Sequence, residues 1–413
     1  VSTLAITGAD AVFSGDLDDP VLTDTDTVVC REEVIIAVGH HDELIDEIES
    51  ADWVLDAQGS TVAPGLIDSH CHVVLGDYTP RQKTVDFLAS YVHGGITRVV
   101  SPGEIHAQGR PHTALGVKAL AIAAKECFDN FRPGGMTVHA GAVVLEPTLQ
   151  EPDFAELQRA GIRLAKFGFG AYSDPADGAD QIRWAQRHGI TVMCHSGGAS
   201  IPGSKPISPE HLMLLRPDVC GHINGGPTSL DESGVDEVIE QSDMALQLVQ
   251  AGNLKSAVRI LRKADDSGQL HRIVIGSDTP TGTGVMPLGV IKTIAELSSL
   301  SGMDPARVWA AATGNNSRVW GLGAGLACEG AAADLVVMDA PWGSTASRAR
   351  DALAIGDIPG ISAVVCGGRV TALRSRNTPR AARLATVEPD LPHLDDAHAP
   401  LPRQPRHLVA GRR

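Results

Sequence analysis

Between Gly65 and Asp278 the chain repeats one pattern: a short apolar run, a polar residue or two at its end, then a stretch with helical spacing. Eight runs fit it: GLIDSHCHVV, TRVVSP, MTVHAGAVV, IRLAKFG, TVMCHSGG, VCGHINGG, DMALQLV and HRIVIGSD. HTALGVKALAIAAKEC, DGADQIRWAQRHG and LKSAVRILRKADDSG are among the helical stretches between them. Strands that read as nearly continuous apolar runs are buried on both faces, as in a parallel sheet covered by helices. Eight of them over about 250 residues predict an α/β protein built on a (β/α)8 TIM barrel, whose site forms at the C-terminal ends of the strands.

The two chain ends follow another rhythm. STLAITGADAV, DTVVC, EVIIAVG and WVLDAQG are short strands with turn residues between them, and ADLVVMDA and ISAVVCGGRV return to that pattern later. A small β-sandwich made from both ends is expected, with residues 1–62 and 325–376 flanking a barrel at 63–324. Residues 377–413 are rich in Pro, Arg and Ala with little periodicity, and read as a tail or loosely packed extension. ARVWAAATGNNSRVWGL reads as a helical segment interrupted at Thr-Gly-Asn-Asn and stopped by Gly321, and GTGVMPLGV as a loop leading into a helix.

Composition narrows the function. Hydrophobic residues make up 43% of 413 and charged ones 20%, enough for a large core and too apolar for global disorder. A net charge of −16 and only 4% aromatic residues argue against nucleic-acid binding. The acidity is uneven, because from Arg374 onward eight Arg face four Asp and Glu. Seven scattered cysteines with no Cys-x-x-Cys indicate neither a disulfide framework nor a thiolate zinc site. VSTLAITGADAVFSG does not read as a signal peptide and no run is long enough to span a bilayer, so a soluble, cytoplasmic protein is expected.

The polar residues at the run ends carry the chemistry. In PGLIDSHCH, His70 and His72 are one residue apart and point the same way on a strand, Cys71 faces the other side, and Asp68 precedes them. Roughly 0.6 such His-x-His pairs are expected by chance, so the pair alone decides little. Lys166, His195, His222 and Asp278 end the fourth, fifth, sixth and eighth runs. Singly, each has an ordinary explanation, such as a hydrogen-bonded histidine or a turn-starting aspartate. Together they place nitrogen and carboxylate donors on one rim, a set that suits Zn²⁺ or Fe²⁺, with Mn²⁺ and Co²⁺ also compatible.

This order of motifs resembles the amidohydrolase superfamily. HSGGASIPGS, GHINGGPTS and GSDTPTGTGVMPLG, with GEIHAQGRPH and ALRSRNTP, are similar to its enamidase group. The resemblance implies a two-metal site, with His70, His72 and Asp278 on one ion and His195 and His222 on the other. Lys166, carboxylated by CO2, would bridge them; unmodified, it would leave a single metal. Asp278 would shuttle a proton from the attacking water to the departing nitrogen. The implied reaction hydrolyses a C–N bond in a small cyclic amide, a lactam-type enamide whose ring opens. For a substrate carboxylate the candidates are Arg110, Lys205 and the backbone N–H groups of Gly197, Gly198 and Ser200, although HSGGASIPGS reads equally as a tight turn. His139 and Asn224 are further candidates at the rim, and His106 and His112 follow barrel strands too. Homotetramers are implied by the same likeness. Alternatives are the hydrolysis of another cyclic amide or imide, deamination of a heterocycle, and a non-catalytic barrel, the last disfavoured because every ligand is present. No Gly-x-Ser-x-Gly elbow or phosphate-binding loop occurs.

Overall fold

The fourth barrel strand, Leu164–Phe167, shows how each run divides its residues. Leu164 packs in an inner cluster with Ile67, Val100, Met193, Val219, Ala245 and Val274, while Ala165 and Phe167 join the larger core beneath the helices. Lys166, two residues beyond Leu164, shares its inward face, one step nearer the rim. This is a computed structural model, and the residues described are 2–73, 84–103, 109–201, 203–226, 229–280 and 284–391; His106 lies outside them.

Eight parallel strands form the barrel: Leu66–Asp68, Ile96–Val100, a third in two pieces (Thr137–His139 and Val143–Val144), Leu164–Phe167, Thr191–Cys194, Val219–Cys220, Ala245–Val249 and Ile273–Gly276. The break in the third divides the ladder into a three-stranded and a six-stranded sheet. Helices alternate with the strands. Leu254–Asp266 is capped by Asn253, whose side chain accepts from the Ser256 N–H, and buries Ala257, Ile260, Leu261 and Ala264, one apolar stripe at i, i+3, i+4 and i+7.

The seam between the first and eighth strands matters most for the site. At its upper end the Asp278 N–H donates to the His70 carbonyl at 2.7 Å and the His72 N–H to the Thr279 carbonyl at 2.8 Å. At its lower end the buried Asn316 amide donates to Ile67 and Ile275 carbonyls at 2.6 and 2.8 Å. Asn316 lies in the helix Gly314–Trp320, which Gly321 terminates in the left-handed conformation.

A sandwich of a five- and a six-stranded sheet draws on both chain ends. Its inner faces enclose Leu4, Ile6, Val28, Leu55, Val62, Leu335, Val337 and Val365. The C-terminal extension departs from the expectation of a loose tail. Thr386–Glu388 pairs antiparallel with Trp53–Asp56, and Arg383 grips the fully buried Asp339 with both Nε and Nη2 at 2.8 and 2.7 Å. The segment through Leu391 is thus part of the sandwich. Among the described residues no helix is long and apolar enough to cross a membrane.

Candidate metal centre

The seam brings the first-strand histidines against the eighth-strand aspartate. Asp278 Oδ1 is 3.2 Å from His70 Nε2 and 2.9 Å from His72 Nε2, and donor atoms of the three lie within 4.8 Å of one another. His222 adjoins them, its ring 5.8 Å from His70 and 4.6 Å from His195. Asp278 and His222 both have left-handed backbones, with φ of 55° and 39°, at the sharp turns that lead the chain off the strand ends.

Burial keeps the His70, His195 and His222 rings neutral. It pulls His70 down to about 3 and His195 to about 4, and holds His222 well below the usual histidine range. Burial opposes the charge of the Asp278 carboxylate, and the hydrogen bond with His72 Nε2 at 2.9 Å favours it. Neutral imidazoles and one carboxylate are the protonation states that bind a divalent cation.

The donor set fits such a cation by another test. The Nε2–H of His195 donates to the Gly198 carbonyl at 2.7 Å, which leaves Nδ1 with a lone pair. That Nδ1, and the Nδ1 of His222, are buried with no hydrogen-bond partner among the described residues. Buried polar atoms without partners are costly unless they meet a ligand.

Lys166 is equally buried. Its Nζ lies 3.4 Å from Met193 Sδ and 5.8 Å from the Phe169 ring centre, with no carboxylate in ion-pair contact among the described residues. Burial lowers its amine to about 8, partly offset by Asp278.

Surrounding residues hold the cluster in place. Asp68 is fully buried and accepts from the Ser277 and His70 N–H groups at 2.8 and 3.1 Å, tying the first strand to the eighth; burial raises its pKa to about 7. Gln247 on the seventh strand reaches His70, His222 and Ser69. Glu146 is buried and accepts from Arg110, His112 and the Ala171 N–H. Arg110 also donates to the Phe169 carbonyl, and the Phe169 ring packs edge-on to His195 at 5.3 Å. None of Gln247, Glu146 and Ser277 was singled out from the sequence. Gln247 alone left a signal, as the one polar residue inside the apolar run DMALQLV.

Gly168 shows how tight the packing is. Its φ is 114°, and an added Cβ would sit 2.6 Å from His195 Cβ. Gly168→Ala is expected to displace His195 and reduce kcat/KM about 10²-fold, the scale of a 1 Å misplacement. Steady-state kinetics on the metal-loaded variant would read this; a wild-type kcat/KM would show that His195 need not hold its position.

The residues expected to bind substrate separate here. Ser200 and Lys205 are exposed on the loop that follows the fifth strand. Gly198 directs its carbonyl to His195, and the Gly197 N–H is already bonded to the Ile207 carbonyl at 2.9 Å, so of the expected N–H donors Gly197 is already in use. Arg110 has its charge matched by Glu146 and braces Phe169. Two expectations are corrected. Asn224 spends its amide on the seventh strand, accepting from the Val249 N–H and donating to the Val249 carbonyl, both at 2.9 Å. The His139 ring lies 3.5 Å from Arg98 Nη1, and burial with Arg98, Arg132 and Lys125 lowers it to about 3; the histidine cluster is not among its partners.

Residues 61–371 match the family model described as the amidohydrolase family. The enamidase of Eubacterium barkeri is 44% identical over 377 residues, covering 91% of this chain and 97% of that protein. The crystal structure of an enamidase superposes with a TM-score of 0.88 at 44% identity, over 94% of this chain and all of that one. The imidazolonepropionase of Geobacillus kaustophilus is 25% identical over 385 residues, 82% of this chain and 89% of its own. The chain belongs to the amidohydrolase family.

Proposed function

We propose that the protein hydrolyses the ring amide of a small cyclic enamide, using a divalent metal centre at the barrel rim. The observation that carries this is the close approach of the Asp278 carboxylate to a group of buried histidines, with the Nδ1 atoms of His195 and His222 lacking a hydrogen-bond partner among the described residues. The 44% identity to an enamidase over nearly the whole chain directs the substrate class.

In this reading His70, His72 and Asp278 would hold one ion, zinc or iron, and His195 and His222 would hold a second. A cation in this set supplies a hydroxide-strength nucleophile near neutral pH and draws electron density from the amide carbonyl. Asp278 takes the proton from the attacking water as the C–O bond forms, then returns it to the ring nitrogen as the C–N bond breaks. The ring opens to a carboxylate and an enamine. The enamine shifts to its imine, and a second water adds and expels ammonia, leaving an aldehyde. Phe169, held through its carbonyl by Arg110, forms an apolar wall beside His195 that limits water. Ser200 and Lys205 are the groups that would meet a substrate carboxylate.

Lys166 completes the reading as a carbamate. Its amine, in the neutral form that burial favours, would add CO2 and release one proton, giving a carbamate anion in place of the ammonium. The support is a buried amine with no carboxylate in ion-pair contact among the described residues, in a position where a retained positive charge would repel both cations. Cytoplasmic residence and a homotetramer go with the proposal and rest on composition and on the family likeness.

The test is an assay of metal-loaded protein on a six-membered cyclic enamide carrying a carboxylate, with ammonia and aldehyde both quantified. Equimolar release of the two supports the assignment. Ammonia without ring opening would replace it with a deaminase, and no turnover on enamides or simple lactams would remove it.

A further inference from the structure

Gln247 is fully buried on the seventh strand, a strand that supplies no ligand. Its amide meets four groups. Oε1 lies 2.7 Å from His70 Nδ1 and 3.3 Å from the His222 backbone N, while Nε2 lies 3.1 Å from the Ser69 carbonyl and 3.0 Å from Ser69 Oγ.

Two of those four groups have fixed chemistry. A backbone N–H only donates and a backbone carbonyl only accepts, so the His222 N–H and the Ser69 carbonyl orient the amide without reference to any side chain. The oxygen must therefore face His70, and His70 must carry its proton on Nδ1. Its Nε2 is then left with the lone pair, on the side where Asp278 Oδ1 lies at 3.2 Å.

We infer that Gln247 is a positioning residue for the metal centre: it fixes the tautomer and ring angle of His70 and ties the turn carrying His222 to the first strand. The inference rests on the metal-centre reading above. A neutral amide suits this place better than a carboxylate. Gln247→Glu would keep an acceptor for His70 but set a second anionic oxygen against the Ser69 carbonyl, since Ser69 Oγ already donates to Ile275 at 2.9 Å. Gln247→Asn would leave the amide one methylene short of His70.

The test uses the full chain, stripped of metal and titrated with Zn²⁺ against a chromogenic chelator, with the melting temperature of the apo-protein measured alongside. Gln247→Leu removes the acceptor at similar size and is expected to raise the Zn²⁺ Kd roughly 10- to 100-fold, the usual effect of losing a residue that orients a ligand. At saturating Zn²⁺ its KM should stay near that of the wild type while kcat falls. Gln247→Glu keeps the acceptor, so its Zn²⁺ Kd should remain closer to wild type than that of the Leu variant. An unchanged Zn²⁺ Kd in Gln247→Leu would overturn the inference. So would equal losses of Zn²⁺ in both variants that track equal losses of apo-protein stability, since Gln247 would then be a structural tie alone. Should Gln247→Leu fail to fold, Gln247→Met decides, since it removes the acceptor on a flexible chain of similar length: a Zn²⁺ Kd within about threefold of wild type overturns the inference, and a larger rise supports it. Because these readouts use Zn²⁺ binding, a failure of the substrate proposal would leave them intact.

Discussion

Asp278→Asn is expected to lose turnover by about 10³-fold or more while the barrel stays folded. General acid–base groups contribute roughly 10²–10⁴-fold, and this carboxylate would serve twice in each turnover, first as base and then as acid. Asn is the informative replacement because it keeps the shape and tolerates the left-handed backbone, φ 55°, that Asp278 adopts. What it lacks is the charge and the ability to take a proton. Kinetics with elemental analysis of the same sample would distinguish two causes. Lost turnover with full metal content assigns proton transfer to Asp278, whereas lost turnover with lost metal assigns a ligand role alone. Turnover near wild type would remove Asp278 from the mechanism.

Removing metal should have an effect of similar size. A divalent cation lowers the pKa of bound water from about 15.7 to about 7, and its stabilisation of transition-state charge amounts to several kcal/mol, about 10³-fold or more in rate. Chelator-treated protein is therefore expected to be inactive and to recover when Zn²⁺ or Fe²⁺ is returned. It should also be less stable. The buried nitrogens of His195 and His222 would lose the proposed ligand, and a metal present at a thousand times its Kd would contribute about 4 kcal/mol to the native state. Melting curves with and without added ion, run beside the activity assay, check both halves. Apo-protein that turns over normally would discard the metal-hydrolase mechanism.

The proposed ligand set was legible in the sequence because each member closes an apolar run, where a barrel places its chemistry. His70, His72, His195, His222 and Asp278 stand where that rule puts them, and the structure brings them together. The supporting residues were less visible for a physical reason. Gln247 meets a histidine 177 positions away, and no local pattern records which strand will lie beside which. Asn224 and His139 followed strands at the right place but turned to other partners, one to a neighbouring strand's backbone and the other to Arg98. A position near the rim does not tell which way a side chain turns. The C-terminal extension misled by composition. A three-residue strand and one buried ion pair are enough to seat it, and neither is long enough to show a period.

The seam that joins the first strand to the eighth also sets an order of events during synthesis. His72 and its partner Asp278 are 206 residues apart. At about 5–20 residues per second, roughly 10 to 40 seconds of translation separate them. For that interval the emerging chain would carry two of the proposed metal ligands without the carboxylate that joins them. Metal insertion at the proposed centre would thus be a late step, open only once the last strand of the barrel has left the ribosome. A ribosome-bound chain halted before residue 278 should hold its ion far less tightly than the released protein.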